Sequence, residues 1–294
     1  MTTSVIVGRD SAQRRLLKPP QPAPIAADSK PRRRKGGLIL APVHANRGIQ
    51  SAYRRRLDDE IKLMLADTED EVTRTYRRHY PVLAQDAAPA DVLQDEVKKL
   101  RKKWTSRFDD LAAKLAAYFA EDVADRSDVR LRQLLKEGGI AVEFRMTPGM
   151  RDVLKATVHE NVSLIRSIPE QYLNQVEGAV MRSVQMGRDM GPLAKFLVEQ
   201  RGMTKRRAAL IARDQNNKAT SMFTRVRQIE IGVTEAIWRH SHAGEVPRPS
   251  HVKMDGKRYN VAKGMYDPDE GEWIFPSQLI NCRCFSSPVI KGFV

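Results

Sequence analysis

Leu93-Gln94-Asp95-Glu96-Val97-Lys98-Lys99-Leu100-Arg101-Lys102-Lys103-Trp104-Thr105-Ser106-Arg107-Phe108 is the stretch whose reading decides the fold. Its apolar positions Leu93, Val97, Leu100, Trp104 and Phe108 continue into Leu111, Leu115 and Tyr118, with spacings of 4, 3, 4, 4, 3, 4 and 3. That period puts every one of them on one side of an α-helix. Lysines and arginines fill the outer face, as in a coiled-coil-like seam. The spacing predicts a long helix packed on an antiparallel neighbour; an intersubunit coiled coil is the alternative.

Working outward, Leu57, Ile61, Leu65, Val72, Tyr76, Tyr80 and Leu83 form a similar stripe, with Thr68 filling its one gap. This helix should end near Pro81 or in the Ala/Pro-rich stretch before Asp91. Downstream, Pro148 to about Ile165 and Pro169 to about Met186 read as two shorter helices, each with proline in its first turn, where no intrahelical N–H is needed. Gly187 and Gly191-Pro192 should break the chain before a segment at Pro192–Gln200. Thr204 then reads as the N-cap of a rod. Along it Ala208, Ala212, Gln215, Ala219, Met222, Val226 and Ile229 keep a 4-3-4-3-4-3 spacing. Gly232 should stop it, after about 27 residues and roughly 40 Å.

After Gly232 the texture changes. Thr234–Arg239, Lys257–Val261, Glu272–Phe275 and Asn281–Phe285 read as short strands between Gly, Pro and Asp turn residues. The expected fold class is α+β: a long, mostly helical N-terminal and central region with a small β-rich C-terminal module. The expected organisation is a basic, Pro-rich, disordered arm over 1–37, a helical stem over 38–203, and a C-terminal domain over 204–294.

The 294 residues are 41% hydrophobic and 30% charged, enough to bury a core. No apolar run approaches the roughly 20 residues of a membrane span. Gly36-Gly37-Leu38-Ile39-Leu40-Ala41-Pro42-Val43 is too short, so a soluble, cytosolic protein with no membrane partner is expected. Cys282 and Cys284, one residue apart, are the only cysteines, which excludes a disulfide scaffold. The net charge of +15 is concentrated at the start: residues 1–56 carry 13 Lys/Arg against Asp10 and Asp28, a balance of +11. The run Arg32-Arg33-Arg34-Lys35 points to nucleic acid or another dense anion as its partner, because neutralised phosphates release counterions; a solvated tail is the alternative.

The C-terminal module collects the residues that can bind metal: His240, His242, His251, Cys282 and Cys284. On a strand, positions i and i+2 share a face. Two thiols with His251 and one of His240 or His242 would make a tetrahedral structural zinc site. The alternative is that the cysteines are buried small hydrophobes and the histidines satisfied polar groups. A metal-dependent nuclease using His240, His242, Arg248 and Arg283, or a zinc-stabilised nucleic-acid-binding module, are the competing functional readings. The enzymatic one is disfavoured: no helix follows the strands as a ββα nuclease needs, and neither a phosphate-cradling loop nor a Gly-x-Ser-x-Gly elbow is present. Trp238 reads as core, and Arg248 and Arg283 as binders of carboxylates or loop carbonyls.

Residues from about 204 to 290 resemble the phage Mu protein F-like, or phage head morphogenesis, family of minor head proteins. Ala212-Arg213-Asp214-Gln215 resembles part of its long helix, and Trp238-Arg239-His240-Ser241 its tryptophan strand. Arg248-Pro249-Ser250-His251 followed by Asp255-Gly256 is similar to its Arg-x-x-His…Asp-Gly segment. Pro276 with Asn281-Cys282-Arg283-Cys284 is similar to its closing motif. Pro42-Val43-His44-Ala45-Asn46, leading into Tyr53-Arg54-Arg55-Arg56, is similar to the N-terminal region of the Mu-like branch. The chain departs from the pattern at Ala243-Gly244-Glu245-Val246, where many members carry an Asp, and at Pro276-Ser277, usually Pro-Gly.

The resemblance implies a structural, non-enzymatic minor capsid protein of a tailed bacteriophage. It would act in prohead assembly near the portal, and in DNA packaging or delivery. Portal, scaffold or major capsid protein would be its partners, and the virion and the host cytoplasm during assembly its places. Some members are fused to C-terminal toxin domains; as this sequence stops just past its cysteine motif, none is expected.

Overall fold

The computed structural model describes residues 32–34, 37–78, 89–186, 190–243 and 246–291. In chain order the elements are β1 (Arg32–Arg34), β2 (Gly37–Ile39), α1 (Arg47–Arg78), α2 (Pro89–Glu137), α3 (Pro148–Gln185), α4 (Met190–Glu230), β3 (Glu235–Arg239), α5 (Pro249–Met254), β4 (Arg258–Asn260), β5 (Met265–Asp267), β6 (Glu272–Ile274) and β7 (Phe285–Ile290). The fold class is α+β. No helix among the described residues is long and apolar enough to cross a membrane.

The stem is a four-helix assembly in which α2 packs on α1, α3 and α4. α1 starts at Asn46, whose Oδ1 accepts the Gly48 and Ile49 amides at 2.8 and 3.2 Å, the side-chain cap that a helix start requires. Its stripe Leu57, Ile61, Leu65, Thr68, Val72 and Tyr76 is buried. Tyr80, Pro81 and Leu83 lie outside the described residues, as does Gly187.

On α2, Leu93 to Phe108 are buried as the seam predicts, but Leu111 is only partly buried and Tyr118 is exposed. Ala112, Ala116, Phe119 and Val123 are buried instead. A helix touching three neighbours buries a wider face than a two-helix seam, and its stripe follows the 3.6-residue turn and not a 3.5-residue repeat.

The two helices expected over 148–186 are one. α3 begins at its N-cap Thr147, which accepts the Met150 amide at 3.2 Å, and runs unbroken with Pro169 inside. An internal proline costs about 3 kcal/mol in an isolated helix. Here Ile165, Ile168, Pro169, Tyr172 and Leu173 are all buried, and that packing offsets the lost hydrogen bond.

Thr204 is not an N-cap. α4 begins at Met190 and passes through it, its hydroxyl donating to Gln200 O at 2.8 Å. Pro192 falls in the first turn, where its missing N–H has no role. The 41-residue helix is about 60 Å long, so the boundary drawn at 203/204 lies within one rod. It ends as expected at Gly232, with φ +79 and Val233 N donating to Gln228 O at 2.8 Å.

The C-terminal module is a sheet in the order β1-β2-β7-β3-β4, with a separate β5–β6 hairpin. The apolar run at 36–43 supplies β2: Leu38 pairs with Ile290 and Ile39 with Val289. Gly37 has φ +114, and a Cβ there would lie 2.6 Å from Ile290 O, so only glycine fits. Leu38, Leu40, Ala41 and Val43 pack on Leu131, Leu134 and Leu135 at the end of α2, tying the module to the stem.

Arg32–Arg34 forms the edge strand β1, so the described part of the expected disordered arm belongs to the sheet; residues 1–31 and Lys35 lie outside the described residues. Asn281–Phe285 is not a strand. Asn281 has φ 64, and the last strand starts at Phe285 and runs through Pro288. Proline is tolerated in this inner strand because its carbonyl, and hence its nitrogen, faces Leu40 just beyond the short β2 ladder.

Candidate functional site

α4 is the spine on which the module is mounted. Arg213 Nη2 donates to Asn281 Oδ1 at 2.8 Å, and Asn281 N donates to Asp214 Oδ1 at 2.6 Å. Two turns on, Ser221 Oγ donates to Pro276 O at 2.6 Å, and Arg225 stacks 3.7 Å from the Phe275 ring. Positions 214, 221 and 225 lie along one face of the helix. The clasp holds Asn281 in a left-handed conformation, and that turn aims the two following cysteines inward.

His251 on α5 is 2% exposed, and Cys282 and Cys284 are 4% and 3% exposed. His251 Nδ1 is 3.4 Å from Cys282 Sγ and 3.6 Å from Cys284 Sγ. Its Nε2 is 3.2 Å from Oδ2 of Asp267, a fully buried carboxylate at the end of β5. Ser250 Oγ donates to the same oxygen at 3.1 Å, and Asp269 N donates to Oδ1 at 3.0 Å. The imidazole stands edge-on to buried Trp238, with ring centroids 5.3 Å apart.

The two thiols respond oppositely to this setting. The Cys284 thiol and the His251 ring hold Cys282 well below the usual thiol range, against the effect of burial. Cys282 and burial push Cys284 up.

The structure thus brings together three of the five residues expected at a metal site. His240 and His242 pair with each other, with ring centroids 4.5 Å apart. His242 is exposed, with Nε2 3.6 Å from Asp255 Oδ2, and Asp255 Oδ1 accepts the His240 amide at 2.9 Å. Both imidazoles sit on the loop after β3 and are turned by His242 at φ 52, so the alternation of a strand does not apply to them. Burial and the neighbouring His242 lower the pKa of His240, and Cys282 and His251 also act on it.

The other motif residues have structural tasks. Arg248 donates to Ile280 O at 3.1 Å and lies 3.6 Å from Glu270; Arg283 donates to Ala243 O. Gly256, at φ +76, donates its amide to Trp238 O at 2.9 Å. Gly244 and Glu245 lie outside the described residues, and nothing is described of the Arg32–Arg34 side chains.

Asp267 was missed by sequence reasoning. It stands before Pro268 and reads as a turn residue, and no local signal distinguishes a buried carboxylate there. The α4 clasp was legible in principle as a polar stripe at 214, 221 and 225 on an otherwise alanine-rich helix.

A cysteine–histidine–aspartate set can serve as a nucleophile relay or as a metal cradle. Both sulfurs are buried, so a relay would need an opening to reach a substrate.

Residues 174–287 match the family described as Phage Mu protein F like protein, and this part of the chain is similar to that family. The match starts within α3, well before position 204. An uncharacterized protein of Haemophilus influenzae (strain ATCC 51907 / DSM 11121 / KW20 / Rd) is 28% identical over 272 residues, covering 91% of this chain; the chain spans 58% of that relative's length. No solved structure matches the chain.

Proposed function

We propose that this chain is a structural minor head protein of a tailed bacteriophage, acting in prohead assembly near the portal, and that it is not an enzyme. The observation that carries this reading is that the family match includes the contacts by which α4 grips the β module through Asn281, Pro276 and Phe275. Such a unit offers other proteins rigid helical flanks, and its chemically reactive side chains are sealed inside.

Portal, scaffold or major capsid protein is the expected partner, in the virion and in the host cytoplasm during assembly. Co-expression of the full chain with portal and scaffold tests this. Co-purification with portal at a fixed stoichiometry is the expected result, and a chain that elutes alone at every ionic strength refutes it. The basic residues at 1–31 would contact packaged DNA or an acidic surface. Deleting them while keeping β1 and β2 should remove salt-dependent DNA binding, whereas unchanged binding would exclude the arm.

The competing reading, a metal-dependent nuclease, needs an ion that a phosphate can reach. A nuclease assay on wild type and His251→Ala separates the two, and turnover lost in the variant would replace the assembly reading.

A further inference from the structure

We propose that His251, Cys282 and Cys284 bind one zinc ion, with Asp267 as the carboxylate that orients the histidine, and that this ion locks α5 and the β5 end to the turn before β7. The inference is independent of the assembly role.

The first support is distance. In a tetrahedral zinc site, with Zn–S near 2.3 Å and Zn–N near 2.05 Å, a nitrogen and a sulfur ligand stand about 3.6 Å apart. His251 Nδ1 lies 3.4 and 3.6 Å from the two sulfurs, and the three ligand atoms are all within 4.8 Å of one another. Both nitrogen–sulfur separations are those of ligands on one tetrahedral ion.

The second is the tautomer. A metal-binding imidazole presents a bare nitrogen to the ion and gives its other N–H to an acceptor, commonly a carboxylate. Asp267 stands 3.2 Å from Nε2 and is itself held by Ser250 and the Asp269 amide. An ion bound at Nδ1, which faces both sulfurs, would leave the proton on Nε2 beside Asp267, where the present angle falls short of a hydrogen bond.

The third is the ligand set. Both cysteines are free and buried. Two thiolates and an imidazole are the ligand types of zinc and not the oxygen donors that a hard cation takes. Among the described residues the cluster supplies three ligand atoms, which leaves the fourth corner to a histidine of the loop at 240–242 or to water. The module also needs such a staple. Its core holds Trp238, Tyr259, Met254, Val233, Val261 and Ile274, with alanine and the two cysteines completing the buried set. A core that small gains folding energy from a structural ion.

The test uses the full chain, purified without chelator. Metal analysis should find one zinc per chain. Cobalt(II) added to the metal-free protein should give thiolate-to-cobalt charge-transfer absorption and the strong visible bands of tetrahedral cobalt. Both should vanish in Cys282→Ser and Cys284→Ser, and Asp267→Asn should weaken zinc binding 10- to 100-fold. Because these variants can misfold, the wild type is also melted with and without chelator. Removal of the ion should lower the transition of the β module while the helical circular-dichroism signal persists. A folded wild type with substoichiometric zinc and no charge-transfer band on cobalt addition overturns the proposal.

Discussion

Arg227 on α4 grips Asp128 on α2 through two bonds, Nε to Oδ1 at 2.8 Å and Nη2 to Oδ2 at 2.6 Å. The guanidinium is 3% exposed and also donates to Glu230 and to Arg145 O, both at 2.8 Å, while facing the Phe144 ring at 4.8 Å. Burial alone would lower its pKa, but the two carboxylates more than reverse that. The pair fastens the α2–α3 connection to the end of α4, next to where the β module starts.

Arg227→Met should therefore destabilise the protein by about 3 kcal/mol, the scale for removing one partner of a buried ion pair. Urea titration of the full chain measures it. A loss below about 1 kcal/mol, typical of surface pairs, would show that the pair does not fasten the two helices.

A second polar layer crosses the stem. Tyr53 OH donates to Asn161 Oδ1 at 2.9 Å, and Asn161 Nδ2 donates to Gln215 Oε1 at 3.0 Å and to Thr157 O at 2.8 Å. It links α1, α3 and α4. Asn161→Leu strands the Tyr53 hydroxyl and the Gln215 amide and should cost about 2 kcal/mol. A Tyr53→Phe/Asn161→Leu double-mutant cycle should show coupling; additive losses would mean that the layer is not a network.

Glu235 on β3 joins Lys291 at 2.9 Å and Arg258 on β4 at 3.1 Å, and these bonds, Lys291 first, lower its pKa from 4.5. A depressed carboxylate stabilises the native state above its unfolded pKa, and that contribution disappears as pH falls through the folded value. Wild type should thus exceed Glu235→Gln in stability at pH 7, with the gap closing below pH 4.5. High salt should shrink the gap, since the groups are solvent-screened. A gap that widens on acidification would reverse the assignment.

His240 should fill the fourth zinc corner in preference to His242. To do so it must give up the bond its Nδ1 accepts from the His242 amide at 3.2 Å. His240→Ala should weaken zinc affinity by tenfold or more in a chelator competition, and His242→Ala should not. Equal affinities in both variants would leave water as the fourth ligand.

Much of this was readable in the chain. The stripes from Leu57 to Tyr76 and Leu93 to Phe108 announced α1 and α2, and Gly232 announced the end of α4. Trp238, Cys282 and Cys284 were placed in the right module. Two of the readings that differed share a cause. Pro169 and Thr204 carry local signals for helix ends, and burial against neighbouring helices overrode both. Tyr118 fits the seam spacing but falls off a buried face set by three partners.

By itself the sequence determined the helical stem, the turn-rich cap and the residue types able to meet at a buried cluster. Periodicity, capping and turn chemistry act between residues a few positions apart, so they are written in the chain where they operate. Only the tertiary structure decided that Leu38 pairs with Ile290, that Asp267 backs His251, that His240 and His242 stand outside the three-residue cluster, and that Arg227 finds Asp128. A three-residue strand or a lone buried carboxylate has no period to announce it. Its stability comes wholly from a partner far along the chain, and that partner is chosen by packing.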